Sequence, residues 1–377
     1  MRRLAFGLLL TFAVGTAIGR ATAPAPPPPQ PEWRVAGELS QTRAYGRAVA
    51  LATGEILVLG GLDASTKSVT ITTSELFDPA TGRTTVLPQR LVGRLNQTVT
   101  PAWGDRIVVA GGTVWFGDEW TSVANTDVYL PWSRTWLRAE PMLHPRSDHA
   151  AVALPDGRVF VTGGNRDNVL LSSSEIYDPA TDTWTQVASM PRARTQFSMA
   201  MLPDGRVIVA GGFQNDGKLT PSTLLYDPAT DTWTDGPRML EARLNHTMVT
   251  LPNGDLLFFG GEGMGAGTAE RYSWRDDTFS YAGVLGEPRL VAQGASLPGG
   301  RVIAVGGLPQ ELDRTHFDPT RSAELWDPRR RRWHDLPSAP TPRAYAQLVA
   351  TPSGVFRISG VGEDEREFRS IEELTWQ

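Results

Sequence analysis

Glycine pairs that follow short apolar strands recur along this chain, at Gly60-Gly61, Gly111-Gly112, Gly163-Gly164, Gly211-Gly212, Gly260-Gly261 and Gly306-Gly307, spaced by 51, 52, 48, 49 and 46 residues. A seventh, worn copy is read at Gly360-Val361-Gly362, 54 residues further on. A period near 50 constrains the fold more than any other feature, because repeated units of this size stack as a propeller or a solenoid. It also overrides the length, since 377 residues would otherwise suggest two or three domains.

After its glycine pair each copy carries an aromatic residue and usually a second one seven residues later: Tyr129 and Trp136, Tyr177 and Trp184, Tyr226 and Trp233, Tyr272 and Phe279, Trp326 and Trp333. The first copy keeps Phe77 but has Thr84. Between the aromatics sit turn sequences such as Asp178-Pro179-Ala180-Thr181-Asp182, which join two strands as a hairpin. Another hairpin precedes the glycine pair, with turns such as Pro155-Asp156-Gly157 and Pro252-Asn253-Gly254. Each copy is therefore expected to form a four-stranded antiparallel sheet. Sheets arranged radially bury both faces, so aromatics fill the space between them while glycine permits close backbone approach and positive φ.

The apolar strand, the glycine pair and the Tyr-Asp-Pro and Trp that follow resemble the kelch repeat, with the third and fourth copies matching nearly in full. The resemblance spans residues 32–377 and implies an all-β, seven-bladed kelch-type β-propeller. Its ring closure is read at the chain ends. Glu32-Trp33-Arg34-Val35 looks like an outer strand with nothing before it, and residues 372–376 look like a third strand with nothing after it. Together they complete one blade, which removes the exposed sheet edges.

The chain has no cysteine, which excludes disulfides, thiolate metal sites, a cysteine nucleophile and a lipid-modified cysteine. Copper radical oxidases also use a kelch propeller, but their cofactor needs a cysteine linked to tyrosine, which this sequence cannot provide. No cofactor and no metal are expected. The net charge of −5 is spread without a basic block, which argues against nucleic acid as a partner.

Residues 1–23 read as an export signal: Arg2 and Arg3, an apolar run from Leu4 to Ile18, then small residues Ala21 and Ala23. Left uncleaved, the segment would act as an N-terminal membrane anchor. Residues 24–31 read as a stiff proline-rich spacer. Removing residues 1–23 takes away three arginines and leaves 33 basic against 41 acidic residues, or −8. A monomer that is secreted, periplasmic or at the cell surface is expected.

Seventeen residues before the first glycine of every copy stands an arginine: Arg43, Arg94, Arg146, Arg194, Arg243, Arg289 and Arg343. The kelch resemblance implies an arginine ring around one mouth of the central channel. Paired with acids at the start of most third strands (Glu75, Asp127, Glu175, Glu270, Glu324 and Glu373), the ring would be scaffold. Left free, it would bind carboxylates or phosphates. Two positions past each arginine the residues differ, namely Tyr45, Asn96, Asp148, Gln196, Asn245, Val291 and Tyr345, as they would on a binding surface or in a tolerant exposed loop. The loops after the glycine pairs share that face. One carries Trp115, Phe116 and Trp120, and the longest carries Arg314, His316, Phe317 and Asp318. Candidate ligand-binding residues are thus the seven arginines with Tyr45, Asp148, Tyr345, Trp115, Trp120 and His316.

Enzyme signatures are absent: there is no H-E-x-x-H, no G-x-S-x-G and no P-loop. His149 and His246 sit three past the repeated arginine, where a structural hydrogen bond is expected. These features favour an exported binding or scaffolding module for a protein or glycan ligand. The alternative is a carbohydrate epimerase or mutarotase acting on an acidic sugar such as sialic acid.

Overall fold

The computed structural model describes residues 31–63, 69–89, 91–116, 118–310, 317–363 and 366–376, which form a seven-bladed propeller of four-stranded antiparallel sheets. Blade I comprises Arg47–Ala50, Ile56–Leu59, Ser74–Asp78 and Arg83–Val86, in that order from the axis outward. Blades II to VI repeat the arrangement, with first strands Thr98–Pro101, Ala150–Ala153, Ser198–Met201, Thr247–Thr250 and Gln293–Ser296. The first strands touch one another in turn around the whole ring, so they are innermost. The segment read as an export signal and all but Pro31 of the one read as a proline spacer lie outside the described residues.

The second strand of blades I to VI is a short, mainly apolar run, such as Ile56–Leu59, Val207–Ala210 and Leu256–Phe259, buried on both faces. A continuous apolar run of this length suits a strand covered on both sides, and here the neighbouring blades supply the cover. There is accordingly no single core. Each pair of adjacent blades shares its own hydrophobic cluster, from Leu57, Val109 and Tyr129 between I and II to Val58, Phe77 and Phe356 between VII and I. The repeated aromatics occupy these interfaces: Phe160 stacks on Tyr226 of the next blade with centroids 4.5 Å apart. Burying one such ring is worth about 2–3 kcal/mol by area. Outer-strand indoles add cross-links, Trp184 Nε1 donating to Glu140 O at 2.9 Å and Trp233 Nε1 to Ala188 O at 2.8 Å.

Blade VII joins the two ends of the propeller. Pro31–Glu38 is its outer strand, paired antiparallel with Ser370–Trp376, while Gly354–Ile358 and Gln347–Thr351 complete it toward the axis. Pro31 takes the first position of an outer strand, where a missing N–H costs no ladder bond. Trp33 Nε1 donates to Pro337 O of blade VI at 2.9 Å.

The seventh glycine pair falls one residue earlier than Gly360-Val361-Gly362. Ser359 and Gly360, with φ of 67° and 106°, take the backbone shape that Gly60 and Gly61 have at 64° and 100°. The cause is a tighter hairpin: Thr351 pairs directly with Gly354, whereas Ala50 pairs with Ile56 in blade I. Ser359 Oγ donates to the Arg43 carbonyl across the closing interface. Gly46 of blade I leaves room for it, since a Cβ there would stand 3.2 Å from that hydroxyl.

Candidate functional site

All seven arginines are buried, none more than 1% exposed, and each is turned into its own blade. Arg146 shows the pattern. Its Nη1 donates to Gly163 O and Ser173 O, both at 2.9 Å, and its Nη2 to Ser173 Oγ at 3.0 Å and Glu175 Oε1 at 2.7 Å. Arg43, Arg243 and Arg343 repeat it with Glu75, Glu270 and Glu372, and Arg94 and Arg289 pair with Asp127 and Glu324. The carboxylates also fix the linker that enters the blade: Glu75 Oε2 accepts Ser40 N–H, Glu175 Oε2 accepts Leu143 N–H and Glu270 Oε2 accepts Leu240 N–H, at 2.6 to 2.7 Å.

The arginine backbones act between blades. In every interface the second residue of the glycine pair donates its N–H to the carbonyl of the next blade's arginine: Gly61 to Arg94, Gly112 to Arg146, Gly164 to Arg194, Gly212 to Arg243, Gly261 to Arg289, Gly307 to Arg343, and Gly360 to Arg43. Glycine is required there by crowding as well as by φ, because a Cβ on Gly61 would lie 2.6 Å from Ala44 O.

Three departures break the repeat. Arg194 has no acid, since Leu224 stands where the other blades have a carboxylate, and it donates to Gly211 O, Ser222 O and Ser222 Oγ. The acid facing Arg343 is Glu372, not Glu373. Adjacent strand residues point to opposite faces, and Glu373 instead pairs with Arg34 of the outer strand at 2.7 Å. Blade VII also adds a second buried cation, Arg357, which shares Glu372 and donates to the Thr341 and Arg343 carbonyls.

The residues two past the arginines have the opposite character. All seven adopt left-handed backbone, with φ between 47° and 55°, and all seven border one cavity of about 890 Å³ at the mouth of the channel. None of the seven arginines borders it. Left-handed φ is tolerated by Asn and Asp but strained for Val291 and the tyrosines. From blade II to blade V the rim is tied together head to tail, Asp148 N–H donating to Asn96 O, Gln196 N–H to Asp148 O and Asn245 N–H to Gln196 O.

The cavity has two sides. Near blades VII and I, Tyr345 lies 4.7 Å from Tyr45, and Phe317 stacks on Tyr345 at 6.4 Å with planes 9° apart. Burial, with a smaller contribution from Glu262, raises the Tyr345 phenol above its ordinary range. Across from them stand side-chain amides and one acid of the rim, Asp148, which accepts Asn165 Nδ2 at 3.0 Å. Trp120 also borders the cavity and meets Trp115 edge to face at 5.2 Å on a hairpin of Thr113–Phe116 and Glu119–Ser122.

His149 and His246 are held neutral. Burial, then the nearby arginines, pushes His149 well below the usual histidine range and His246 down to about 3. His246 Nε2 meets Ser198 Oγ at 2.7 Å and His149 Nε2 meets Thr98 Oγ1 at 3.2 Å, each bond crossing to the preceding blade.

Of the candidates read from sequence, Tyr45, Asp148, Tyr345 and Trp120 gather on one cavity, and Trp115 supports Trp120. His316 lies outside the described residues. Sequence reasoning passed over Arg47, which also borders the cavity. Its signal was the column four past the repeated arginine, which reads Arg47, Thr98, Ala150, Ser198, Thr247, Gln293 and Gln347 and holds one charge.

A fungal alcohol oxidase of the AA5 family, solved in complex with copper, superposes with a TM-score of 0.74 over 92% of this chain and 76% of its own, at 18% identity. That likeness is one of fold. The present chain has no cysteine and, among the described residues, no grouping of three His, Asp or Glu able to hold a metal ion, so its residues do not fit such a centre. No curated protein matches the sequence. The model of the KLHDC2/KLHL20/DRC7 kelch-repeats domain matches residues 46–261, more than half of the chain. With the seven-bladed ring and its glycine-pair staples, that match places the chain in the kelch-repeat family.

Proposed function

We propose that this kelch propeller is an exported binding module that receives a glycan chain in the mouth of its central channel. One observation carries the reading. Seven residues of five types, on left-handed backbone that is strained at Val291 and the two tyrosines, converge on a cavity of about 890 Å³, within the range of roughly 300–1,000 Å³ usual for small-ligand sites. Backbone strain collects where function holds it in place. The lining combines aromatic faces with amides and hydroxyls, which suits stacking on sugar rings and hydrogen bonding to their hydroxyls. The arginine run after Met1 and the apolar stretch behind it support export.

The alternative, an epimerase for an acidic sugar, would need free arginines in the mouth. The repeated arginines are buried and bonded instead, which leaves that chemistry only Arg47 beside Asp148 in the mouth. A glycan array and a pull-down with the purified propeller test the reading. Binding to glycans that falls at least tenfold in Tyr345→Ala and Trp120→Ala is expected. Capture of a protein with no glycan bound would replace the glycan by a protein ligand, and retention of all binding by both variants would move the site elsewhere.

A further inference from the structure

The rim two past the arginines holds one charged side chain, Asp148, and the inner-strand column four past them holds one, Arg47. They stand on blades III and I, flanking blade II, and both border the main cavity and a smaller one of about 230 Å³ beside it. Opposite charges facing one cavity would ordinarily close into an ion pair. These two do not: no N–O approach within 4 Å joins them. Each is pinned by its own neighbours. Arg47 Nε donates to Gln97 O at 3.3 Å, while Asp148 accepts Asn165 Nδ2 at 3.0 Å and Ser147 Oγ at 3.4 Å.

Burial disfavours the charge on both. It lowers Arg47 and raises Asp148, and in each case the attraction of the other works against it. A donor and an acceptor held apart at a desolvation cost are a preorganised pair, since the protein has already met the ordering cost that a ligand would otherwise impose.

Deepening the glycan reading, on which it rests, we infer that Arg47 and Asp148 form a subsite that reads the hydroxyls of a neutral terminal sugar. Neighbouring hydroxyls can accept from the guanidinium and donate to the carboxylate at once. The pair is neutral in sum, so an anionic sugar pairing with Arg47 would leave Asp148 without a donor, and a cationic one pairing with Asp148 would leave Arg47 without an acceptor. The cavity's other acid, Asp167, is bonded to Ser122 N–H at 2.9 Å. The smaller cavity is below the size of a whole small-ligand site, so it suits one end of a chain whose remainder lies against Tyr45, Tyr345 and Trp120.

The test is calorimetric titration of the purified propeller with a glycan found on the array, and with free glucose, galactose, mannose, N-acetylglucosamine, glucuronic acid, sialic acid and glycine. Arg47→Gln and Asp148→Asn should each weaken the glycan and at least one neutral sugar tenfold or more, and the double variant should lose little beyond either single one. Trp120→Ala should weaken the glycan while sparing the free sugar. Thermal melting checks that the variants fold, and Arg47→Lys and Asp148→Glu stand in for any that does not. If the glycan binds undiminished to the Arg47 and Asp148 variants, the subsite is wrong and the mouth reading survives. Preference for glucuronic or sialic acid that depends on Arg47 alone, or for glycine, also overturns it. If no glycan binds the wild-type propeller, the functional reading fails and the subsite with it.

Discussion

Two rings of residues stand only two positions apart in sequence and behave as opposites. The arginine ring is the same residue seven times, buried and bonded to its own blade by side chain and to the preceding one by backbone. The next ring is Tyr, Asn, Asp, Gln, Asn, Val and Tyr, on left-handed backbone, facing a cavity. A position that solves the same packing problem in every blade keeps its residue; a position released from that problem can differ, and can serve a ligand. Sameness around the ring therefore marks scaffold here, and difference marks the site.

The comparison can be broken at several places, the largest effect first. Deleting residues 31–38 removes a whole strand and its ladder with Ser370–Trp376, so the ring cannot close. Loss of cooperative melting is expected, and an unchanged melt would remove closure from the account. Arg43→Ala leaves Glu75 buried without its cation and should cost about 3–5 kcal/mol in denaturant unfolding. Arg194→Ala strands no carboxylate and should cost clearly less; equal losses would mean that the acids contribute nothing.

The histidines set a pH dependence. His246 carries an ordinary value of 6.5 when unfolded and about 3 when folded, so between those values the unfolded chain binds the extra proton. The stability tied to the neutral ring is complete above pH 6.5 and drains away as the pH falls toward 3. His246→Gln should be less stable than wild type at pH 7, with the gap narrowing by pH 4; a constant gap would contradict a buried neutral ring. The smallest effect is at the rim, where Val291→Gly relieves left-handed strain in a β-branched residue. It should leave stability unchanged or raise it by up to about 1 kcal/mol, whereas Gly61→Ala, which meets the Ala44 carbonyl, should destabilise.

The scaffold was legible because it is periodic. Glycine pairs, paired aromatics and an interval to the arginines of 17 residues in six blades and 16 in the seventh carry the blades, the closing strand and the column that lines the mouth. Reading failed where one residue upset the register. The short Thr351–Gly354 hairpin moved the seventh pair onto Ser359-Gly360, and strand alternation put Glu372 rather than Glu373 on Arg343. The arginine side chains were expected at the channel mouth, but they reach away from it toward the third strand of their own blade. Arg47 was passed over for the opposite reason: it is the one charge in its column, and only a comparison of the repeats at that column shows it.

The central claim is tested most directly by urea unfolding of Arg146→Ala beside Asp148→Ala, two substitutions in one blade and two residues apart. Arg146→Ala should lower stability by about 3–5 kcal/mol, because Glu175 loses its buried partner, while Asp148→Ala should remain within about 1 kcal/mol of wild type. If Arg146→Ala unfolds like wild type and Asp148→Ala collapses, the arginine ring is not the scaffold and the variable ring is not the site.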